Sequence, residues 1–146
     1  MADELHVQVA ARLRRVGQRF TPGRRLLVDA LVRSPRPVTA AELVASDAGL
    51  PQSTAYRNLA VLEQAGVVHR VTGTDEFARF ELAEELTGHH HHHLVCLRCG
   101  AVEDFDAPAP LERGLADAIR RLTDGTGFRA DSHRLDLLGT CATCAR

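Results

Sequence analysis

Residues 51–68 read PQSTAYRNLAVLEQAGVV, and this stretch decides the fold of the first half of the chain. Ala55, Leu59 and Leu62 recur at helical spacing, which predicts a helix from about residue 52 to residue 65 with one apolar face. Gly66 is the expected C-terminal cap of that helix. The opposite face carries Ser53, Tyr56, Arg57 and Ala60. One face of this helix is therefore expected to pack on a core, and the other to face solvent.

Helical patterns precede this helix and strand patterns follow it. A first helix is predicted through residues 5–16, a second begins with Pro22 in its first turn, and a third is opened by the capping box at 39–42. Residues 67–71 and 77–82 alternate apolar and polar side chains around a Gly-containing turn, which predicts a β-hairpin. Helices followed by such a hairpin are typical of a winged helix-turn-helix domain.

The second half of the chain is predicted to be a smaller unit behind a polar hinge. We predict an α+β protein with an N-terminal winged helix-turn-helix domain at 1–82, a hinge at 83–88 and a small α/β domain at 89–146. The second domain is expected to contain strands at 89–96 and 101–105, a helix at 110–124 and a strand at 128–138. The apolar face of its helix, which is expected to be buried, consists of Leu111, Leu115, Ala118, Ile119 and Leu122.

Composition and charge narrow the class of protein. Hydrophobic residues make up 45% of the chain, and no apolar run approaches the ~20 residues that a membrane span needs. The N-terminal residues MADELHVQVA lack the features of a secretory signal, so a cytoplasmic protein is expected. The net charge is −1, but residues 1–36 hold eight arginines against three acids. Expected phosphate or minor-groove contacts are therefore Arg12, Arg14, Arg15, Arg19, Arg24 and Arg25.

The four cysteines form two CxxC pairs, Cys96 with Cys99 and Cys141 with Cys144. Each pair can present two thiolates, and two pairs complete a tetrahedral sulfur shell of the kind that holds structural Zn²⁺. A redox-active dithiol and unrelated core cysteines are the alternatives. The spacing favours structural zinc.

Five consecutive histidines, at 89–93, form the second candidate site. Side chains in a strand alternate between its faces, so His89, His91 and His93 point one way and His90 and His92 the other. One strand can therefore supply ligands to two metal sites. The alternative is a solvated polar strand that binds metal unspecifically.

The exposed face of the 52–65 helix is suited to DNA. Arg57 can reach guanine or phosphate, and the ring of Tyr56 can pack on thymine methyl groups. A merely solvated helix face is the alternative.

The ordered motifs PQSTAYRNLAVLEQAGVV, FEL, HHHHHLVCLRCG, DSH and GTCATC resemble the ferric uptake regulator superfamily over nearly the whole chain, and its zinc uptake regulator branch in particular. The resemblance implies a homodimeric, metal-dependent repressor with a C-terminal dimerisation domain. It implies that Arg19 enters the minor groove. It also places on the recognition helix Ser53, Thr54, Tyr56 and Arg57.

The resemblance also implies two metal sites on the histidine strand. The regulatory site would be formed by Glu81, His91, His93 and a fourth ligand from the first domain. Pro37 stands where iron-sensing members carry a histidine, whereas His69 occupies the position of a ligand in zinc-sensing members. The third site would be formed by His90, His92, Glu112 and His133. Glu103 and Asp104 are the alternatives to Glu112.

The function predicted from the sequence is a zinc-responsive transcriptional repressor that binds palindromic operator DNA as a homodimer and is not an enzyme. The cofactors would be structural Zn²⁺ and regulatory Zn²⁺ or Fe²⁺. An iron-responsive regulator and an iron-based peroxide sensor are alternatives, although the latter is associated with an aspartate where this chain has Glu81. A zinc hydrolase is the alternative from the enzyme class. The lack of an HExxH motif and of an evident general base argues against it.

Overall fold

The computed structural model describes residues 2–46 and 49–146. Helices and a three-stranded sheet form the first half of the molecule. The elements are α1 (Ala2–Arg15), α2 (Pro22–Arg33), β1 (Val38–Thr39), α3 (Ala40–Ser46), α4 (Gln52–Gln64), β2 (Val68–Thr72) and β3 (Ala78–Leu82). The sheet has the strand order β1-β3-β2 and is antiparallel. The predicted helices and the wing hairpin are present. The strand β1 was not predicted, because two residues are too few to show a strand pattern in the sequence.

The ends of the helices follow the predicted signals. Thr21 accepts a hydrogen bond from the backbone N–H of Arg24 at 3.4 Å at the start of α2. At α3 the capping box is reciprocal, because the Glu42 N–H donates to Thr39 Oγ1 at 3.1 Å and the Thr39 N–H donates to Glu42 Oε2 at 2.8 Å. Gly66, with a φ of +70°, reverses the chain after α4.

The core of the first half lies between its helices and the wing. Ala55, Leu59 and Leu62 of α4 are fully buried there, as the helical spacing predicts. They pack with Leu13 of α1 and Phe80 of β3. The exposed face of α4 is therefore held by a core whose buried residues, in the described part of the chain, come from the first half, with Leu86 packed against it.

The second half begins inside the predicted hinge. Residues 83–88 contain a short helix, α5 (Glu84–Thr87), which ends at Gly88 with a φ of +68°. The following elements are β4 (His92–Cys96), β5 (Val102–Phe105), α6 (Ala109–Thr123) and β6 (Asp136–Gly139). Their sheet has the order β5-β4-β6, with β4 antiparallel to β5 and parallel to β6.

Three expectations for the second half are wrong. The strand expected at 89–96 begins only at His92, because the pairing with β5 starts at that residue. The apolar face of α6 is not buried: the helix has no buried residue, and Leu122 is 75% exposed. Leu115 and Ile119 on that face are half-buried, and Leu111, Ala118 and Leu122 are exposed. The last strand covers only Asp136–Gly139 rather than 128–138, because β4 offers it just four paired positions.

The wing packs against the second sheet. Val71 of β2 is buried together with Val95 of β4 and Val102 of β5. The hydroxyl of Thr74, in the wing turn, donates to the carbonyl oxygen of Cys96 at 3.1 Å. We call this contact between the wing and residues 95–102 the wing seam. It joins the two halves through apolar packing and a hydrogen bond.

Gly100 is the tightest point of the wing seam. Its φ is +76°, and a Cβ atom there would lie 2.3 Å from Asp75 Oδ2. Asp75 is itself held by Arg79, whose Nη1 and Nη2 donate to the two carboxylate oxygens at 2.7 and 2.8 Å.

None of the helices in the described residues is long and apolar enough to cross a bilayer.

Candidate metal centres

Four cysteine sulfurs meet beside the wing seam. Cys96 is the last residue of β4, Cys99 lies in the turn between β4 and β5, and Cys141 and Cys144 follow β6. All four Sγ atoms lie within 4.8 Å of one another. The 3.8 Å between Cys99 Sγ and Cys141 Sγ is far longer than a disulfide bond, and all four thiols are free. The predicted pairing of two CxxC motifs is therefore realised.

The cysteine cluster favours a thiolate. Backbone N–H groups, first that of Cys141 and then that of Cys99, lower the pKa of Cys96 to about 6. The Cys141 N–H donates to Cys96 Sγ at 3.3 Å. Hydrogen bonds to Cys141 and Cys99 raise the pKa of Cys144, so the last thiol resists ionisation among its neighbours. A divalent cation removes that repulsion, and this donor set fits Zn²⁺.

A second cluster joins β3 to the histidine strand. It consists of Glu81, His91, His93 and Asp104, whose ligand atoms lie within 4.8 Å of one another. His91 Nε2 lies 2.9 Å from Glu81 Oε2, and His93 Nε2 lies 3.1 Å from Glu81 Oε1. Asp104 Oδ2 is 3.7 Å from His91 Nε2. We call this group the Glu81 cluster; its ligands come from both halves of the molecule.

Charges within the Glu81 cluster are mutually stabilising. Burial works against ionisation of Glu81, but hydrogen bonds from His93 and His91 outweigh it and lower the pKa of Glu81. Burial likewise opposes protonation of His91 and His93, yet the Glu81 carboxylate raises the pKa of both. Burial raises the pKa of Asp104. A cation could replace the shared protons between these groups.

The orientation of His93 suits metal binding. Its Nδ1 lies 3.3 Å from Asp136 Oδ1, so the carboxylate can hold the Nδ1 proton and leave Nε2 facing the cluster. Carboxylate partners of this kind commonly orient metal-binding imidazoles. His91 differs, since its Nδ1 is buried without a hydrogen-bond partner.

His69 is not among the described residues that form the Glu81 cluster. It lies opposite Glu81 in the pairing of β2 with β3, and it is exposed. Asp104 takes the fourth place instead. Asp104 lies directly opposite His93 in the antiparallel pair of β4 and β5. The sequence analysis missed this ligand because it did not predict the register of that pair.

The third cluster lies on the other face of the histidine strand. It contains His90, His92, Glu112 and His133, again within 4.8 Å of one another, so the structure brings together the four residues expected there. Glu112, in the first turn of α6, lies 2.5 Å from His92 Nε2 and 3.0 Å from His133 Nε2. Hydrogen bonds, chiefly from His92, lower the pKa of Glu112. We call this group the Glu112 cluster.

The candidate DNA-binding residues lie on the exposed side of the first half. Ser53, Tyr56, Arg57 and Arg19 are exposed, with Tyr56 at 42%. Thr54 is partly buried, and its Oγ1 accepts a hydrogen bond from Arg57 Nη2 at 3.4 Å. The face that α4 presents thus carries polar and aromatic side chains suited to a DNA groove.

Three of the arginines expected to contact phosphate also have partners within the chain. Arg24 donates to Asn58 Oδ1 at 3.1 Å and to Gln18 Oε1 at 3.0 Å, which ties α2 to α4. Arg25 stacks over the ring of Phe20, 4.7 Å from its centroid. Arg12 donates to the carbonyl oxygen of Gly66. Charge in the sequence did not distinguish these structural roles from surface contacts.

The fold and the sequence are matched in known proteins. The model of the ferric uptake regulator family matches residues 15–138. The chain belongs to this family. It accordingly has an α+β fold, in which an N-terminal winged helix-turn-helix DNA-binding domain precedes a small C-terminal α/β dimerisation domain.

Several family members are similar over most of their length. The peroxide-responsive repressor PerR of Staphylococcus aureus (strain USA300) is 33% identical over 146 residues, covering 97% of this chain and 91% of that protein. The structure of the Vibrio cholerae ferric uptake regulator is 30% identical, with a TM-score of 0.66, covering 88% of this chain and 96% of that one. A zinc-bound manganese uptake regulator is 31% identical, with a TM-score of 0.62, covering 93% and 98%. These relatives are regulators, which supports the non-enzyme prediction.

Proposed function

We propose that the protein is a metal-dependent transcriptional repressor that binds palindromic operator DNA as a homodimer. The observation that carries this proposal is the Glu81 cluster, because Glu81 belongs to the wing strand β3 while His91, His93 and Asp104 belong to the second half. A cation bound by these four residues would hold the wing against the second sheet. The hinge between the domains would be residues 83–88.

Linkage turns such a contact into regulation. A cation that binds the closed arrangement better than the open one shifts the population toward the closed dimer. A tenfold gain in DNA affinity requires ~1.4 kcal/mol of coupling. Ligands from β3 that reach the cation only in the closed arrangement can supply that amount. Recognition would use Arg19, Ser53, Thr54, Tyr56 and Arg57.

The cysteine cluster would hold structural Zn²⁺, with Cys96, Cys99, Cys141 and Cys144 as its ligands. A closed tetrahedral sulfur shell leaves no position for substrate and contributes its binding energy to folding. It would fasten the C-terminal residues to the turn between β4 and β5. The role of this cluster is therefore to stabilise the second domain.

The homodimer would cover the open face of α6. Leu111 and Leu122 on that face are 40% and 75% exposed, and Leu138 on β6 is 64% exposed. Exposed apolar side chains in this number on one small domain mark an interaction surface. A second copy of the chain is the partner that a palindromic DNA site requires.

The fourth ligand bears on the identity of the regulatory cation. The preference for zinc in the sequence depended on His69, whereas the Glu81 cluster contains two imidazoles and two carboxylates. Such a nitrogen and oxygen set suits Fe²⁺ or Mn²⁺ as well as Zn²⁺. We therefore propose regulatory Zn²⁺ or Fe²⁺, with Asp104 in place of His69.

Similarity to named relatives favours a second candidate function, an iron-based peroxide sensor. Relatives named as peroxide-responsive repressors match nearly the whole chain, although this chain has Glu81 where an aspartate accompanies that chemistry. In that case peroxide treatment of the iron-loaded protein adds one oxygen atom to the peptide that carries His91 and His93. Mass spectrometry checks this, and an unmodified peptide after peroxide treatment contradicts the sensor function.

Titration of palindromic DNA at buffered Zn²⁺ and Fe²⁺ concentrations tests the repressor. We expect the metal to raise the DNA affinity of the wild type at least tenfold, and Glu81→Ala and Asp104→Ala to abolish that gain. His69→Ala is the matched control and should behave like the wild type. An affinity that does not depend on metal overturns the proposal, and a loss of the gain in His69→Ala alone would restore His69 as the ligand.

A further inference from the structure

Glu84 lies between the two histidine clusters and contacts both. Its Oε2 accepts a hydrogen bond from His90 Nδ1 at 2.8 Å. Its Oε1 accepts one from the backbone N–H of His91 at 3.3 Å and lies 4.0 Å from His91 Nδ1. One carboxylate therefore touches a residue of the Glu112 cluster and a residue of the Glu81 cluster.

The local sequence places this carboxylate. Residues 83–88, AEELTG, form the single turn of α5, and Gly88 reverses the chain with its positive φ. The reversal brings the histidine strand back past the start of α5. Glu84 therefore faces His90 and His91, whereas its neighbour Glu85 points away and has a side chain that is 63% exposed. Only one of these two adjacent glutamates reaches the clusters.

The contact with His90 has the form of a metal-ligand support. His90 Nε2 faces the Glu112 cluster, 3.2 Å from His133 Nε2 and 3.5 Å from Glu112 Oε1. Its other ring nitrogen donates to Glu84, which fixes the proton on Nδ1 and leaves the Nε2 lone pair directed at the cluster. Such outer carboxylates orient metal-binding imidazoles and raise their basicity.

We propose that Glu84 is a positioning residue that prepares His90 for a cation in the Glu112 cluster and couples that cluster to the Glu81 cluster. This inference rests on the proposed function for the cation in the Glu81 cluster, and it adds a cation in the Glu112 cluster. Glu84 does not bind the cation itself. It acts through His90 on one side and through the backbone of His91 on the other.

The coupling follows from the chain path. Glu84 lies three residues after Glu81, at the junction of β3 and α5. A cation that immobilises His90 also holds Glu84, and Glu84 in turn fixes the backbone where His91 enters the Glu81 cluster. Loading of the Glu112 cluster therefore lowers the cost of ordering the Glu81 cluster, and its affinity for metal rises.

Cobalt titration of the zinc-containing dimer tests this proposal. Ligand-field absorption of Co²⁺ and competition with a chelator report binding at the two histidine clusters separately from the cysteine cluster. We expect Glu84→Gln to weaken binding at the Glu112 cluster by about 10–100-fold and to shift its absorption band. Glu85→Gln, the matched control, should leave both unchanged. A general loss of structure would not change the spectrum of one cluster alone.

A second variant tests the coupling. His133→Ala removes a ligand of the Glu112 cluster and should weaken Co²⁺ binding at the Glu81 cluster severalfold. Adding Glu84→Gln to His133→Ala should then cause little further loss. If the wild type binds only one Co²⁺ beyond the structural zinc, one of the two histidine clusters stays empty, and the coupling is overturned. If it binds two and Glu84→Gln behaves like Glu85→Gln, the role of Glu84 is overturned while the proposed function stands.

Discussion

The two halves of the molecule differ in the interactions that stabilise each of them internally. Among its described residues, the first half buries sixteen hydrophobic residues in one cluster, and its elements pack on each other from α1 to β3. The second half contributes only Val95 and Val102 to a buried apolar cluster, and even that cluster is completed by Val71 of the wing. The second half instead gathers three groups of ligand side chains.

This difference shows how a domain of fewer than sixty residues can be stable. The second half, residues 89–146, is too short to bury a large apolar core, and small domains of that size commonly need metal ions or association with another chain. Its apolar residues lie on the outside of α6 and β6, while its interior carries His92 and His93, which are almost fully buried. We therefore expect the first domain to be stable by itself and the second to depend on cations and on a partner.

Leu122→Glu tests that dependence and carries the largest expected effect. In the homodimer this side chain would be covered by the second copy, so a buried carboxylate without a partner would weaken dimerisation by about a hundredfold, or ~3 kcal/mol. Sedimentation at several protein concentrations measures the shift. Operator affinity should fall with it, because one protomer contacts only one half-site.

Val7→Glu is the matched control for this substitution. Val7 on α1 is 66% exposed, close to the 75% of Leu122, but it belongs to the half that buries its own core. The dimer should tolerate Val7→Glu. Equal dimerisation of both variants would mean that α6 stays solvent-exposed in the dimer, and the contrast between the halves would lose its second part.

The sequence predicted the first domain well because local rules govern it. The period of Ala55, Leu59 and Leu62, the capping box at Thr39 and the glycine at 66 each act within a few residues and agree with the global packing. The arginines were harder. Arg24 and Arg12 have partners distant in sequence, and side-chain type alone does not distinguish such an internal contact from a contact with phosphate.

The second domain was predictable in its ligand types and less so in their pairing. The structure groups His91 with His93 and His90 with His92 as predicted, although β4 itself begins only at His92. The fourth ligand of the Glu81 cluster depends on the register between β4 and β5. That register places Asp104 in the cluster, where the sequence had predicted His69. The prediction that the apolar face of α6 is buried was wrong. Periodicity predicts that a helix has an apolar face, but it does not show whether the same chain covers that face.

Gly100→Ala is expected to have a smaller effect, at the contact between the two halves. A methyl group there would collide with Asp75, and the positive φ would add backbone strain. The wing seam should loosen at a cost of about 2 kcal/mol. The unfolding midpoint in urea measures the loss, and faster amide hydrogen exchange in the wing turn should accompany it.

Gly125→Ala separates the two causes of that loss. Gly125 has nearly the same φ, +72°, but a Cβ atom there would have no neighbour within 4 Å. This variant should therefore lose about 1 kcal/mol from backbone strain, without any change in the wing. If Gly100→Ala matches Gly125→Ala in both measurements, then the wing does not pack closely on residues 95–102 in solution.

Glu42→Gln has the smallest expected effect and tests the self-sufficiency of the first domain. Burial raises the pKa of Glu42, but the backbone N–H of Thr39 and the guanidinium of Arg36 outweigh it, so the pKa is lowered below 4.5. The stabilisation from its carboxylate is therefore present above pH 4.5 and is lost as the pH falls through the lowered pKa. At pH 7 we expect Glu42→Gln to reduce the protection of the α3 amides against hydrogen exchange by about 0.5–1 kcal/mol, and to match the wild type at a pH below the pKa.

Thr39→Ala removes the other bond of the same capping box and should cost a similar amount without that pH dependence. Because the box lies wholly within the first domain, chelation of metal or dissociation of the dimer should leave both differences unchanged. A Glu42→Gln effect that disappears with the metal would show that the first domain depends on the second.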